Sequence, residues 1–305
     1  MLVEQGYFSL DDLVTDYLPH YGRHGKGRTT IRHVLTHSAG VPFFFGPRPD
    51  VKRVGDSEYT REQLAAMRPL YPPGLLHMYH GLTWGPLIRE IVAAATGRSI
   101  RDITATEILD PLGFRWTNFG VSDDDVALVA PSYATGKPLP APMAAAFRKA
   151  IGGTLYETIP LTNTPLFLTS VVPSSTTVSN AAELSRFAEV LRRGGELEGV
   201  RVIGAQTLAA AVAPSRRLRP DMATGGKPMA WGTGYMLGDK RFGPFGRDTA
   251  AAFGHTGLVD IAVWVDPARR LSAAIVSSGK PGSNPEPKLY PAVLNSISAE
   301  LAPIR

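Results

Sequence analysis

Cysteine is absent from the 305 residues, which excludes a disulfide framework, a thiol nucleophile and any thiolate metal site. Long hydrophobic runs are also missing. The richest, Ile91 to Ala95, is short and flanked by polar residues, so no membrane-spanning helix is expected. The opening Met1-Leu2-Val3-Glu4-Gln5-Gly6 has neither a basic n-region nor an apolar h-region. No signal peptide is visible there, and a cytoplasmic location is the default. Lysine is scarce, at eight residues, so arginine carries most of the net charge of +5. Arg192 and Arg193 fall in the last turn of a predicted helix and Arg269 and Arg270 in a predicted hairpin turn, so no basic stripe for nucleic acid forms. Repeats and low-complexity tracts are absent. With 44% hydrophobic and 19% charged residues, the chain has a globular composition rather than a disordered one.

Several common chemical signatures are missing as well. No Gly-x-Ser-x-Gly nucleophile elbow occurs; Thr36-His37-Ser38-Ala39-Gly40 comes closest, but it starts with Thr and ends a predicted helix. His33 and His37 are four apart, yet the glutamate of His-Glu-x-x-His and an acidic third ligand are lacking. A packed, hydrogen-bonded histidine pair is expected there, not a zinc site. The glycines at 225, 226, 232 and 234 lack phosphate-loop spacing. No cofactor or metal is expected.

What is present is ordered hydrophobic periodicity. Thr30 caps a helix carrying Ile31, Val34 and Leu35, followed by a proline- and aromatic-rich loop from Val41 to about Pro49. Residues 83–95 read as a helix with Leu87, Ile88, Ile91, Val92 and Ala95 on one stripe, Pro86 in the first turn and Gly97 as the stop. Ser99 caps the next helix, which halts before Pro111. From about Gly120 to Pro173 the pattern loosens into expected long surface loops, a lid or substrate wall. Asn180 and Glu183 form an expected capping box for a helix ended by Gly194-Gly195. Strands are expected at Trp231–Leu237, Leu258–Val265 and Leu271–Val276, and a closing amphipathic helix at Tyr290–Leu301.

Five segments, in order along nearly the whole chain, carry a resemblance. They are Leu2-Val3-Glu4-Gln5-Gly6 through Ser9-Leu10-Asp11-Asp12; Val34-Leu35-Thr36-His37-Ser38-Ala39-Gly40-Val41-Pro42; Tyr71-Pro72-Pro73-Gly74 before Tyr79-His80-Gly81; Pro111-Leu112-Gly113-Phe114; and Phe253-Gly254-His255-Thr256-Gly257. Together they resemble the serine β-lactamase-like and penicillin-binding-protein-like hydrolases, in the carboxylesterase branch. The resemblance implies an α+β, β-lactamase/transpeptidase-like fold, with a helical lobe (residues 1–224) packed on an antiparallel sheet with flanking helices (residues 225–305). It implies acyl transfer through a serine to a small-molecule ester or related acyl substrate. Tyr79 would relay the proton. His255, Thr256 and Gly257 would line the substrate side, and the Leu258 N–H would complete the oxyanion hole. Taken without their motifs, Tyr79 reads as a core tyrosine and His255 as an ordinary strand histidine.

Two departures bear on activity. Gly81 stands where many members have Asn, and His255 where many have Lys, which tilts the expected substrate from β-lactams and peptide amides toward simple esters. The family's Ser-x-x-Lys precedes the segment where this sequence opens. The one such string, Ser277-Ser278-Gly279-Lys280, follows a predicted strand near the end and is not expected to act. Two readings remain. Either the gene product starts earlier and is an active hydrolase, or the chain is a catalytically inactive member, a binding module or a remnant. The first is favoured because Leu2 and Val3 read as the last turn of a helix, and single turns do not persist alone. A chain cut there would also expose apolar faces and a sheet edge.

Overall fold

The computed structural model describes residues 1–43, 50, 53, 55–258, 260–281 and 289–304. Most of the loop expected from Val41 to Pro49 lies outside them. The helical part comprises α1 (Val14–Tyr17), α2 (Ile31–Leu35), α3 (Ser57–Ala66), α4 (Trp84–Thr96) and α5 (Ile100–Thr104). The predicted stripe of α4 is the one it buries: Leu87, Ile88, Ile91 and Val92 join Val14, Ile31, Val34 and Leu64 in one core. Gly97 ends the helix in the left-handed region (φ 69°), its N–H donating to Ala93 O. Ser99 caps α5 through bonds from Arg101 N and Asp102 N.

α3 has no counterpart among the sequence expectations, because only Thr60, Leu64 and Ala65 are buried along it. Its register is held by polar contacts instead. Asp56 caps it, accepting from Tyr59 N at 3.0 Å, and its Ser57 and Arg61 reach the buried carboxylate of Glu90.

The stretch read as loose loops, 120–173, is a correction. It contains α6 (Ala141–Ile151), α7 (Leu155–Thr162) and α8 (Pro165–Thr169). Pro142 and Pro165 lie in first turns, where a missing N–H costs nothing, so residues that signalled loops open helices here. The capping box at Asn180 is half formed at the start of α9 (Ala181–Arg192). Asn180 accepts from Glu183 N at 2.8 Å, but the Glu183 carboxylate turns away to Arg115 N, Trp116 N and the Thr117 hydroxyl. α10 (Ala205–Val212) follows, and α11 (Leu289–Glu300) closes the chain as expected.

Three short strand pairs sit outside the main sheet. β1 (Asn118–Phe119) pairs with β3 (Thr177–Val178), and β4 (Glu196–Leu197) with β5 (Val200–Arg201). β2 (Tyr133–Thr135) pairs in parallel with β12 (Gly279–Pro281). The main sheet is antiparallel, made from β6 (Arg216–Asp221), β7 (Lys227–Trp231), β8 (Met236–Leu237), β9 (Phe253–Thr256), β10 (Ala262–Asp266) and β11 (Leu271–Ile275) in sequential order. Two expected strands are corrected. Trp231–Leu237 is the turn between β7 and β8 with their ends. Leu258–Val265 begins in the turn before β10, where Gly257 N bonds Ile261 O. The β-favouring aromatics flanking Gly232-Thr233-Gly234 hide the first break, and the apolar residues on either side of Asp260 hide the second.

Period-two alternation sorts the sheet's faces. Met229, Trp231 and Trp264 face Leu294 of α11, whereas Ala230 and Val265 face Ala188 and Leu191 of α9 and Leu208 of α10. Among the described residues, no helix is long and apolar enough to cross a membrane.

Candidate functional site

Tyr79 sits on an irregular segment that local structure alone could not hold. Backbone bonds tie it to the segment after α2: Met78 N donates to His37 O (2.9 Å), Gly74 N to Ser38 O (2.8 Å) and Leu70 N to Gly40 O (2.8 Å). Gly40 is required at its position. Its φ is +82°, and a Cβ there would fall 2.3 Å from Tyr71 O. Two buried histidines complete the seam. His80 Nδ1 donates to Met78 O (2.6 Å), since a carbonyl can only accept, which leaves Nε2 to accept from Val41 N (3.1 Å). The His80 N–H in turn donates to His37 Nδ1 (3.3 Å).

The expected His33–His37 pair is therefore a correction: α2 ends at Leu35 and His37 turns into the left-handed region (φ 57°), off the helix face. His33 accepts from Thr30 N, while His37 packs toward Tyr79. Burial holds His37 well below the ordinary histidine range, and it pushes His80 down to about 4. Both are neutral at pH 7.

Tyr79 lies in an aromatic cage. Its ring stacks on Trp231 (5.3 Å, 15°), meets His37 edge-on (5.1 Å, 77°) and faces His255 at 5.7 Å. Gly81 leaves room for that ring, since a Cβ there would sit 3.1 Å from Tyr79 Cε1. Burial, and secondarily the charge of Asp221, pushes the phenol up to about 12, so the hydroxyl carries its proton at neutral pH.

His255 and Thr256 end β9, and Gly257 and Leu258 carry the chain into an exposed turn. His255 Nδ1 donates to Thr256 O (2.7 Å), and burial lowers its basicity, so a neutral ring presents Nε2 as an acceptor. Thr256 Oγ1 donates to Met236 Sδ at 3.4 Å. Tyr79, Gly81, His255, Thr256, Gly257 and Leu258 all line one cleft of about 3140 Å³. Five residues named for Tyr-relay, substrate and oxyanion roles thus come from segments more than 170 positions apart in sequence to one wall.

Sequence reasoning missed three residues that hold Tyr79 in place. Asp221 is fully buried and accepts from Tyr79 N (3.0 and 3.2 Å) and Ala223 N (3.0 Å). Trp231 and His37 cage the Tyr79 ring. No local motif flags Asp221, which looks like one more acidic residue in a turn. In the sequence His37 reads only as one of a packed histidine pair or a metal ligand. Ser38 is 1% exposed and bonded to Thr36 Oγ1 (3.0 Å). Ser277 Oγ donates to Gly279 O (3.0 Å) and Lys280 Nζ to Ser277 O, so the hydroxyl and the amine of this string do not bond each other.

A family model described as Beta-lactamase matches residues 1–296. The esterase/beta-lactamase LipL of Mycobacterium tuberculosis is 25% identical over 286 residues, covering 90% of this chain and 64% of that protein. This chain therefore spans just under two thirds of that relative's length. A penicillin-binding protein homolog from Caulobacter crescentus superposes with a TM-score of 0.82 at 28% identity, over 98% of this chain and 79% of that one. A family VIII carboxylesterase also superposes at 0.82, with 22% identity over 99% and 79% of the two chains. The fold is β-lactamase/transpeptidase-like.

Proposed function

The chain belongs to the beta-lactamase family, and from that premise we propose that it forms the larger part of a serine hydrolase that cleaves small-molecule esters through an acyl-enzyme. The observation that carries this reading is the meeting of Tyr79, in its aromatic cage, with His255 and the end of β9 in one cleft. The nucleophile is a Ser-x-x-Lys serine supplied by chain preceding Met1, because neither Ser38 nor Ser277 is placed to act. The serine oxygen attacks the ester carbonyl carbon, and its proton passes through the Tyr79 hydroxyl to the departing alkoxide. The Leu258 N–H and the serine's own N–H hold the oxyanion, and water then hydrolyses the acyl-enzyme. His255, Thr256 and Gly257 orient the substrate. The helical lobe of residues 1–224 and the sheet lobe of 225–305 form the two walls, with α9 and β6 reaching from the first into the second.

Esters are favoured over β-lactams and peptide amides on two grounds. Gly81 offers no side-chain amide for a lactam's acylamino group, and His255 is neutral where a lysine would supply a fixed charge. The test is steady-state hydrolysis by protein expressed from an upstream in-frame start that encodes Ser-x-x-Lys. Short-chain p-nitrophenyl esters should be cleaved and nitrocefin barely. Preference for nitrocefin would overturn the substrate assignment. An upstream in-frame stop codon would instead favour an inactive binding module or remnant.

A further inference from the structure

The backbone of Tyr79 is anchored from the sheet, 142 residues away in sequence. Asp221 ends β6 with no solvent exposure and spreads both carboxylate oxygens over the Tyr79 N–H, at 3.2 and 3.0 Å. Arg216, on the same strand, donates Nη1 to His77 O (2.5 Å) and Nη2 to Pro220 O (3.1 Å), and its guanidinium lies 4.0 Å from Asp221. Two residues of one strand thus grip the tyrosine segment at positions 77 and 79.

We propose that Asp221 is a positioning residue for Tyr79, fixing its backbone and setting the electrostatic field at its hydroxyl. The proposal rests on the hydrolase reading above. A carboxylate kept this deep, against the desolvation that raises its proton affinity, has backbone donors and one guanidinium to compensate it. The charged or titratable groups around Tyr79 are Asp221 and Arg216 from β6, His37 from the segment after α2, His255 from β9, and His77 and His80 beside it in the chain. Burial lowers the basicity of all four histidines, so Asp221 and Arg216 supply the formal charge at neutral pH. Burial first, and then the Asp221 charge, keep the phenol protonated, which suits a group that must hand on a proton instead of holding a phenolate.

The test uses the full-length protein with 3,5-difluorotyrosine at position 79, whose phenol ionises several units lower and within the protein's stable range, read by fluorine NMR. Asp221→Asn keeps an acceptor for the Tyr79 N–H but removes the charge. The Tyr79 titration should then move down by about one pH unit, and kcat of the natural-tyrosine enzyme should fall roughly tenfold with KM nearly unchanged. Arg216→Met removes the facing cation and should move the titration in the opposite direction; it carries the test alone should the Asn variant not fold. Unchanged titration in the folded variants overturns the proposal. If the full-length parent cleaves no ester, the hydrolase reading fails separately, while the titration shifts still decide what Asp221 does.

Discussion

The hydroxyl of Tyr79 is the atom on which the proposed chemistry turns. In protein extended upstream to a Ser-x-x-Lys, Tyr79→Phe should lower kcat by roughly a hundred- to ten-thousand-fold, the usual worth of a general acid–base group, with little change in KM. The ring and its stacking on Trp231 survive that change, so the melting temperature should barely move. Turnover close to the parent's would make Tyr79 a structural tyrosine. His255→Ala should act mainly on KM, as a residue that places substrate. Gly81→Asn, which supplies the missing amide but forces a side chain toward Tyr79 Cε1, should lower ester turnover and raise the ratio of cephalosporin to ester hydrolysis. Kinetics on both substrates with that single variant decide the point.

The seam histidines make stability depend on pH with a defined sign. Burial holds His80 near 4 and His37 well below its ordinary range, against an ordinary value of 6.5. Between these values the unfolded chain binds more protons than the folded one, so the contribution is present above 6.5 and lost as pH falls toward 4. His80 alone should cost on the order of 2 kcal/mol between pH 7 and pH 5. Urea midpoints at the two pH values measure it. In His80→Gln the difference should shrink, and an equal slope in parent and variant would contradict the assignment.

Among the elements, α3 and α4 are joined by a buried ionic knot rather than by hydrophobic contact alone. Glu90 has no solvent exposure and accepts from Arg61 Nε (2.6 Å), Arg89 Nε (2.8 Å) and Ser57 Oγ (3.0 Å), while Arg89 also donates to Thr60 Oγ1. Glu90→Ala leaves the buried Arg89 guanidinium without its carboxylate and should destabilise by about 3–5 kcal/mol. A loss under about 1 kcal/mol in urea unfolding would show that the knot is not needed. The same contrast explains which elements were legible. α4 and α11 announced themselves through apolar stripes, and Ser99 and Asn180 through caps. α3 could not, because its packing is polar. α6 and α8 were hidden because their prolines stand at helix openings, and α7 because Pro160 lies inside it. The turn at 232–235 was hidden because Trp231, Tyr235, Met236 and Leu237 on either side of its glycines read as one strand.

Over the whole molecule, ordered motifs made the family and its fold readable, and they singled out Tyr79 and the end of β9, which meet in one cleft. Their company was not readable. Asp221, Trp231 and His37 reach the site through contacts spanning up to 152 residues, and no local pattern encodes such a meeting. The cleft of about 3140 Å³ exceeds the roughly 300–1,000 Å³ of ordinary ligand pockets. The proposed chemistry draws its proton relay and an oxyanion donor from this cleft and its serine from chain preceding Met1. That division of labour is the central claim, and fluorophosphonate labelling tests it most directly. The probe should leave the 305-residue chain unlabelled and should label the protein extended upstream on its Ser-x-x-Lys serine, as mapped by peptide mass spectrometry. A labelled peptide lying within residues 1–305, whether at Ser38, Ser277 or elsewhere, would contradict it.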